Sequence, residues 1–402
     1  MGKNTLKHTR IRNRFGGRLV GAILLGMVLS GFVWVAAGKW VVVPVPEHPT
    51  ATNTQLKGVT SLGPNDAWAV GRWFDPNVKI HAMHWNGSAW NFVNPPSTSH
   101  LGSAPDLDSV GHAPNGDIWA VGNVFTGYPT DNNPLVMRWR NGAWDFVDKI
   151  RFGKADVYPF AERGGAAFDV ECFAENDVWV VGYAAGRGTE ATMVPMSAHW
   201  DGTKWTEVEV PWYGGRYNLI ESVSGSGPND IWAVGNYRNV AQNYHAFMVH
   251  WDGSRWSKVP LPIEGIAGDT LWDVEAIAPD DAWAVGSIDA GGVMMHWDGT
   301  EWSLFNDPSQ MPRSFGYLAQ MKANDVWAVA QDNSFWHFDG VTWSRQSNPP
   351  VKGAVSWWRS GGLAASGSDD LWSIGGWTDG TKNHDLAERF RVLRQVGPGI
   401  KK

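Results

Sequence analysis

The tripeptide Asp-x-Trp returns seven times in this chain, at Asp66, Asp117, Asp177, Asp230, Asp281, Asp325 and Asp370, with spacings of 51, 60, 53, 51, 44 and 45 residues. A second motif follows each of the first six: HWNGSAW, RWRNGAW, HWDGTKW, HWDGSRW, HWDGTEW and HFDGVTW, beginning at His84, Arg138, His199, His250, His296 and His337. A period of this length marks one supersecondary unit, repeated and stacked, whose apolar faces are covered by its neighbours.

Each unit reads as four short strands, here named a to d. In the fourth unit LIESVSG is strand a, GPND a tight turn, and IWAVG a strand b rich in β-branched and aromatic residues. Strand c ends at HW. An Asp-Gly or Asn-Gly hairpin turn follows, because these residues accept positive φ, and strand d opens at the second Trp. Four strands per unit is the signature of a propeller blade. The seventh unit has LAERFRVL for strand c but no Asp-Gly-x-x-Trp after it. Trp40-Val-Val-Val43-Pro44-Val-Pro46 matches Trp256-Ser-Lys-Val259-Pro260-Leu-Pro262 slot for slot. The reading is therefore an all-β chain: a seven-bladed β-propeller over 38–402, its ring closed by the N-terminal strand, so that no sheet edge is left open.

Nineteen of the 27 Trp fill repeat slots, which makes them packing devices for the gaps between blades. The repeated Asp is expected to accept backbone N–H bonds in the a–b turn, and the repeated His to bond within its own blade. One His per blade, spread around a ring, does not make a metal site. The unit VGNYRNVAQNYHAFMVHWDGSRWSKVPLP resembles a kelch repeat, with Val234-Gly235 where that repeat has a Gly pair and Trp251 at its aromatic slot. DGSRW is similar to the Asp-box of sialidase-like propellers, one residue shorter. The resemblance covers 40–396 and points to bacterial exported proteins with Trp-rich repeats. It implies a fold and leaves function open.

Leu19 to Ala37 is an uncharged apolar run behind a basic leader, 1–18. It is long enough to span a bilayer. The positive-inside rule keeps the leader cytoplasmic and sends 38–402 outward. Val35 and Ala37 also suit signal-peptidase cleavage, so 19–37 is a signal anchor or a signal peptide, with an organellar address as a third option. The protein is expected in the cell envelope, membrane-anchored through this helix or secreted after cleavage near Ala37. Seven basic residues precede the first acid, Glu47; the rest of the chain holds 26 basic against 40 acidic residues, about −14. An acidic body argues against a nucleic-acid partner. The single Cys172 excludes an intrachain disulfide.

Function belongs where the repeat breaks. The b–c and d–a connections vary, and they share one end of the ring. Their aromatic and basic residues give candidate ligand contacts: Trp73, Trp212, Tyr213, Arg216, Tyr217, Arg238, Trp357, Trp358, Arg359 and Trp377. Exposed Trp and Tyr stack on sugars or anchor peptides. A second candidate set is acidic: Asp108, Asp169, Glu171, Glu221, Asp273 and Glu275 on the a strands, expected at the central channel. Such carboxylates suit Ca²⁺ or a basic ligand; no other cofactor is indicated. The favoured function is a binding or scaffold module, with a protein or glycan partner outside the cytoplasm. The alternative is a glycan-binding or glycan-cleaving propeller; a glycosidase needs two placed carboxylates, and the Arg-Ile-Pro start motif of a sialidase does not occur. A copper oxidase is a third class, opposed by the setting of Cys172 in VECFAEND. No catalytic residue is assigned.

Overall fold

A computed structural model describes residues 38–127, 131–147, 164–185, 193–215, 217–239, 241, 243–266, 268–359, 361–367 and 369–392. Among these, no helix is long and apolar enough to cross a membrane. The expected anchor, 19–37, lies outside the described residues, so its membrane role is taken up below as a proposal.

Regular structure is strand almost throughout. The fourth unit shows the pattern. Tyr217–Gly227, Asp230–Arg238, Tyr244–Trp251 and Trp256–Lys258 pair antiparallel in chain order. Four units form four-stranded sheets of their own; the third and fourth are joined into one sheet by a single parallel pair, Met193 with Tyr217. In the last sheet, strand a is split into Ser356–Trp358 and Leu363–Ala365. Its outer edge is taken by Gly38–Val43, antiparallel to Asn383–Val392 with Trp40 opposite Phe390. The expected N-terminal closing strand is thus in place.

Aromatic interlocking joins the sheets. The strand-b Trp of each unit packs edge-on or tilted against the c- and d-strand aromatics of the next. Trp232 meets Trp297 and Trp302 at 5.0 and 5.2 Å, and Trp179 meets Trp251 and Trp256 at 4.8 and 5.8 Å. Trp372 of the last unit meets Trp85 and Trp90 of the first at 5.1 and 5.0 Å, which closes the circuit. All seven of these Trp are buried. The arrangement is a β-propeller: sheets set radially, with the a strands innermost.

One expectation needs correction. The repeated Asp does not mainly cap the a–b turn; it accepts a bond from the repeated His. His84–Asp66, His199–Asp177, His250–Asp230, His296–Asp281 and His337–Asp325 lie at 2.6–2.9 Å. The reason is register. Each His stands opposite the strand-b Trp, as His250 does opposite Trp232, two residues beyond the Asp. The imidazole lies over that indole at 4.2–4.7 Å. Where the His is missing, an arginine fills its place: Arg138 lies over Trp119, and Arg389 lies over Trp372 and binds Asp370. In the c–d turns, where Gly takes positive φ as expected, the Asp caps backbone N–H groups: Asp201 accepts from Thr203 and Lys204.

Trp232→Ala should cost about 3–5 kcal/mol, as expected for a large aromatic lost from a packed interior. His250→Ala, which strands only a half-buried carboxylate, should cost about 1–2 kcal/mol. Urea unfolding followed by Trp fluorescence gives both values.

Candidate functional site

A bulge recurs on the inner strands. In six units the a–b register slips by one residue at the same place, skipping Lys57, Asp108, Phe168, Glu221, Trp272 and Gly316 in turn. A bulged residue leaves the ladder and is re-aimed. All six line the central cavity of about 1170 Å³. The bulge also explains the repeated Val-Gly. A Cβ on Gly235 would stand 1.9 Å from the carbonyl oxygen of Leu219, and Gly71, Gly122, Gly182, Gly286 and Gly375 face the same obstruction. Ala330 holds that slot in the sixth unit.

The cavity draws together all six carboxylates expected at the channel: Asp108, Asp169, Glu171, Glu221, Asp273 and Glu275. Two of them are spent on the fold. Asp169 accepts from Ser109 Oγ (2.6 Å) on one neighbouring inner strand and from Val223 N (2.9 Å) on the other. Asp273 does the same with Ser222 Oγ and Leu318 N, both at 2.6 Å. Asp108 is bound by Lys57 at 2.7 Å, and Lys57 also holds the buried Asp106. Glu171, Glu221 and Glu275 have no cationic partner among the described residues.

Burial against the channel wall, reinforced by neighbouring carboxylates, raises these pKa values. Glu171 is pushed up to about 8, Glu221 and Asp273 to about 7, and Glu275 well above its usual range. These side chains are open to the channel lumen, so only part of their hydration is lost. Burial also pushes the Cys172 thiol well up, which leaves it a poor nucleophile. Among the described residues, no group of three or more His, Cys, Asp or Glu side chains is placed to hold a metal ion. The Ca²⁺ expectation therefore finds no ligand set there.

The candidate aromatics do not gather into one site. Among the described residues of that set, only Trp358 and Arg359 line the channel. Arg359 requires a correction: it is 2 % exposed, pairs through two bonds with the buried Glu388, and lies 4.6 Å over Phe335. Its guanidinium is part of the core and is not offered to a ligand. Trp73 is held between His48 (3.6 Å) and Lys79 (4.5 Å), with its N–H on the Ile80 carbonyl. Tyr213 stacks on Phe247, and its hydroxyl donates to Met248 O. Arg238 lies over Tyr217 and Tyr244, and Trp377 stacks on His384 at 4.1 Å. Trp212 and Trp357 remain open, 58 % and 37 % exposed. Arg216 lies outside the described residues.

Sequence reading missed the residues best placed for contact, Phe168 and Trp272. Both sit inside strand a, where a regular pleat gives no sign of a special residue. The available signal was their variability at one repeat slot: Lys, Asp, Phe, Glu, Trp, Gly.

Comparison with known proteins supports the fold. No protein-family model matches the chain, and no curated protein matches it in sequence. Solved β-propellers match in shape. YCF48 bound to D1 peptide aligns with TM-score 0.54 and 14% identity, over 90% of this chain and 97% of that one. YCF48 from Cyanidioschyzon merolae gives 0.54 and 16%, over 88% and 98%. The WD40 β-propeller domain of Doa1 gives 0.56 and 10%, over 89% and 98%.

The raised carboxyl pKa values carry a sign. A carboxyl that binds its proton more tightly when folded stabilises the fold below its unfolded pKa, near 4. That contribution is lost as pH climbs through 7 and 8, the folded values of Glu221, Asp273 and Glu171. The melting temperature should therefore fall between pH 5 and pH 8.5, and the double variant Glu171→Gln, Glu275→Gln should flatten the slope. Scanning calorimetry across that range measures both.

Proposed function

We propose that this chain is a seven-bladed, exported propeller that acts as a non-catalytic binding module for a protein partner. It engages that partner at the end of the ring carrying the b–c and d–a connections. The observation behind this reading is the bulge slot. Six equivalent backbone positions present five different side chains and one glycine to one cavity, while the turns at the opposite end keep their motif residues. A scaffold that holds its geometry while the residues lining one cavity differ from unit to unit suits recognition. Two of the six channel acids cross-link neighbouring strands, which favours a structural over a catalytic role for them. Protein binding also accords with the solved propeller bound to a peptide, a likeness of fold only. Export rests on the basic leader and the apolar run 19–37.

Two measurements test the proposal. A photo-crosslinking amino acid at Asp289, which lines the cavity, should trap a partner in the native host; the same group at Asn229, in an a–b turn, should not. Crosslinking from position 229 alone would place the working surface at the wrong end. Alkaline phosphatase fused after Lys402 should be active, since it folds only outside the cytoplasm, and should lose activity when Leu24 and Leu25 become Arg. Activity that survives that change would remove the export reading.

A further inference from the structure

The bulge slots have an order. Around the ring they run Asp108, Phe168, Glu221, Trp272, Gly316, so acid alternates with aromatic along an arc and ends in a gap. Trp272 is 40 % exposed, and its ring packs on no other aromatic ring among the described residues. A large indole left open at a cavity wall is unusual in a chain that buries nearly all its repeat tryptophans. A Cβ added at Gly316 would meet nothing within 4 Å, so the slot that follows Trp272 around the ring is open.

The charge there is unbalanced. Seven carboxylates line the cavity against Lys57, Arg313 and Arg359. Lys57 is held by Asp106 and Asp108, and Arg359 by Glu388. Only Arg313 remains as a lining cation without an ion pair among the described residues. Glu221 holds the bulge slot between those of the two aromatics and feels Asp108 as a like charge; Asn236 is its hydrogen-bonding neighbour. A carboxylate in the slot between two aromatic ones on the same cavity wall, followed by an open slot, matches a cation carried on an apolar stem. Rings attract cations through their quadrupole, and the carboxylate adds a charge-assisted hydrogen bond.

We propose that Phe168, Glu221 and Trp272, with the space over Gly316, form a receptor for an arginine or lysine side chain from an extended segment of the protein partner. This deepens the protein-binding reading and rests on it. Calcium fits poorly, because a hard cation calls for several oxygens and gains nothing from the rings.

The test uses the purified full chain and fluorescein-labelled Gly-Arg-Arg-Arg amide, titrated by fluorescence anisotropy. Saturable binding is expected, with a tri-citrulline peptide failing to bind and a tri-lysine peptide ranking the two cations. Trp272→Ala, Glu221→Gln and Gly316→Leu should each weaken the arginine peptide at least tenfold. Trp272 is open and Gly316 faces empty space, so the melting temperatures of these two variants should stay near the parent's, which separates lost contact from lost fold. A flat titration overturns the proposal. So does equal binding of the citrulline peptide, or binding unmoved by all three variants, which would mark a diffuse acidic surface. The two readings fail separately: if the titration is flat while crosslinking from position 289 persists, the receptor falls and the protein-binding reading stands.

Discussion

Everything in this molecule depends on an indole wedged between one sheet and the next. Hydrogen bonds cross between neighbouring units at places such as Asp169 and Asp273, but ring contact recurs at every junction of the circuit. Most of these indoles bury their N–H with no acceptor, Trp119, Trp179, Trp232, Trp327 and Trp372 among them. An unpaired buried donor costs about 1–3 kcal/mol. The packing of large flat rings in T-shaped and tilted contact outweighs that cost, with part of it recovered where an N–H faces a neighbouring ring. The His–Asp bond then fixes each indole in place, since the imidazole covers one of its faces. Arg389 on Asp370 and Trp372 shows that the requirement is a planar donor, and that histidine is only the usual solution.

The same repeat creates the opening at the centre. Radial sheets twist, and their inner strands cannot all lie flush around an axis. The bulge absorbs one residue per inner strand and turns its side chain to the lumen. The glycine opposite is the steric counterpart, because the carbonyl two residues before the bulge, Leu219 O in the fourth unit, occupies the position a Cβ would crowd. Framework and variable surface are thus set by one backbone event. The framework slots keep to Trp, Asp, His or Arg, and Gly or Ala, while the bulged residue differs from unit to unit.

The repeat motifs made the sheets, their strand order and the N-terminal closing strand legible in the sequence. The channel acids were legible too, since they lie at matching offsets on strand a. Their division of labour was not. Asp169 and Glu171 look alike in sequence and share one side of strand a, yet only Asp169 meets Ser109 and Val223 of the neighbouring strands, while Glu171 has no cation beside it among the described residues. Arg359 misled for a related reason. In SWWRSGG it resembles an exposed loop cation, but its partner, Glu388, is 29 residues away on another strand.

Sequence by itself determined what is periodic: the number of motif copies, the strands in each, the residues that fill the gaps and the acidic character of the body. Periodicity is local, so it can be read without coordinates. Only the tertiary structure decided what faces the axis. A side chain reaches the channel or the interior according to a single-residue slip in pairing, and that slip exists only between two strands. Trp272 and Phe168 carry no mark of it beyond the variability of their repeat slot; their position at the cavity wall arises when strands a and b pair with one residue to spare.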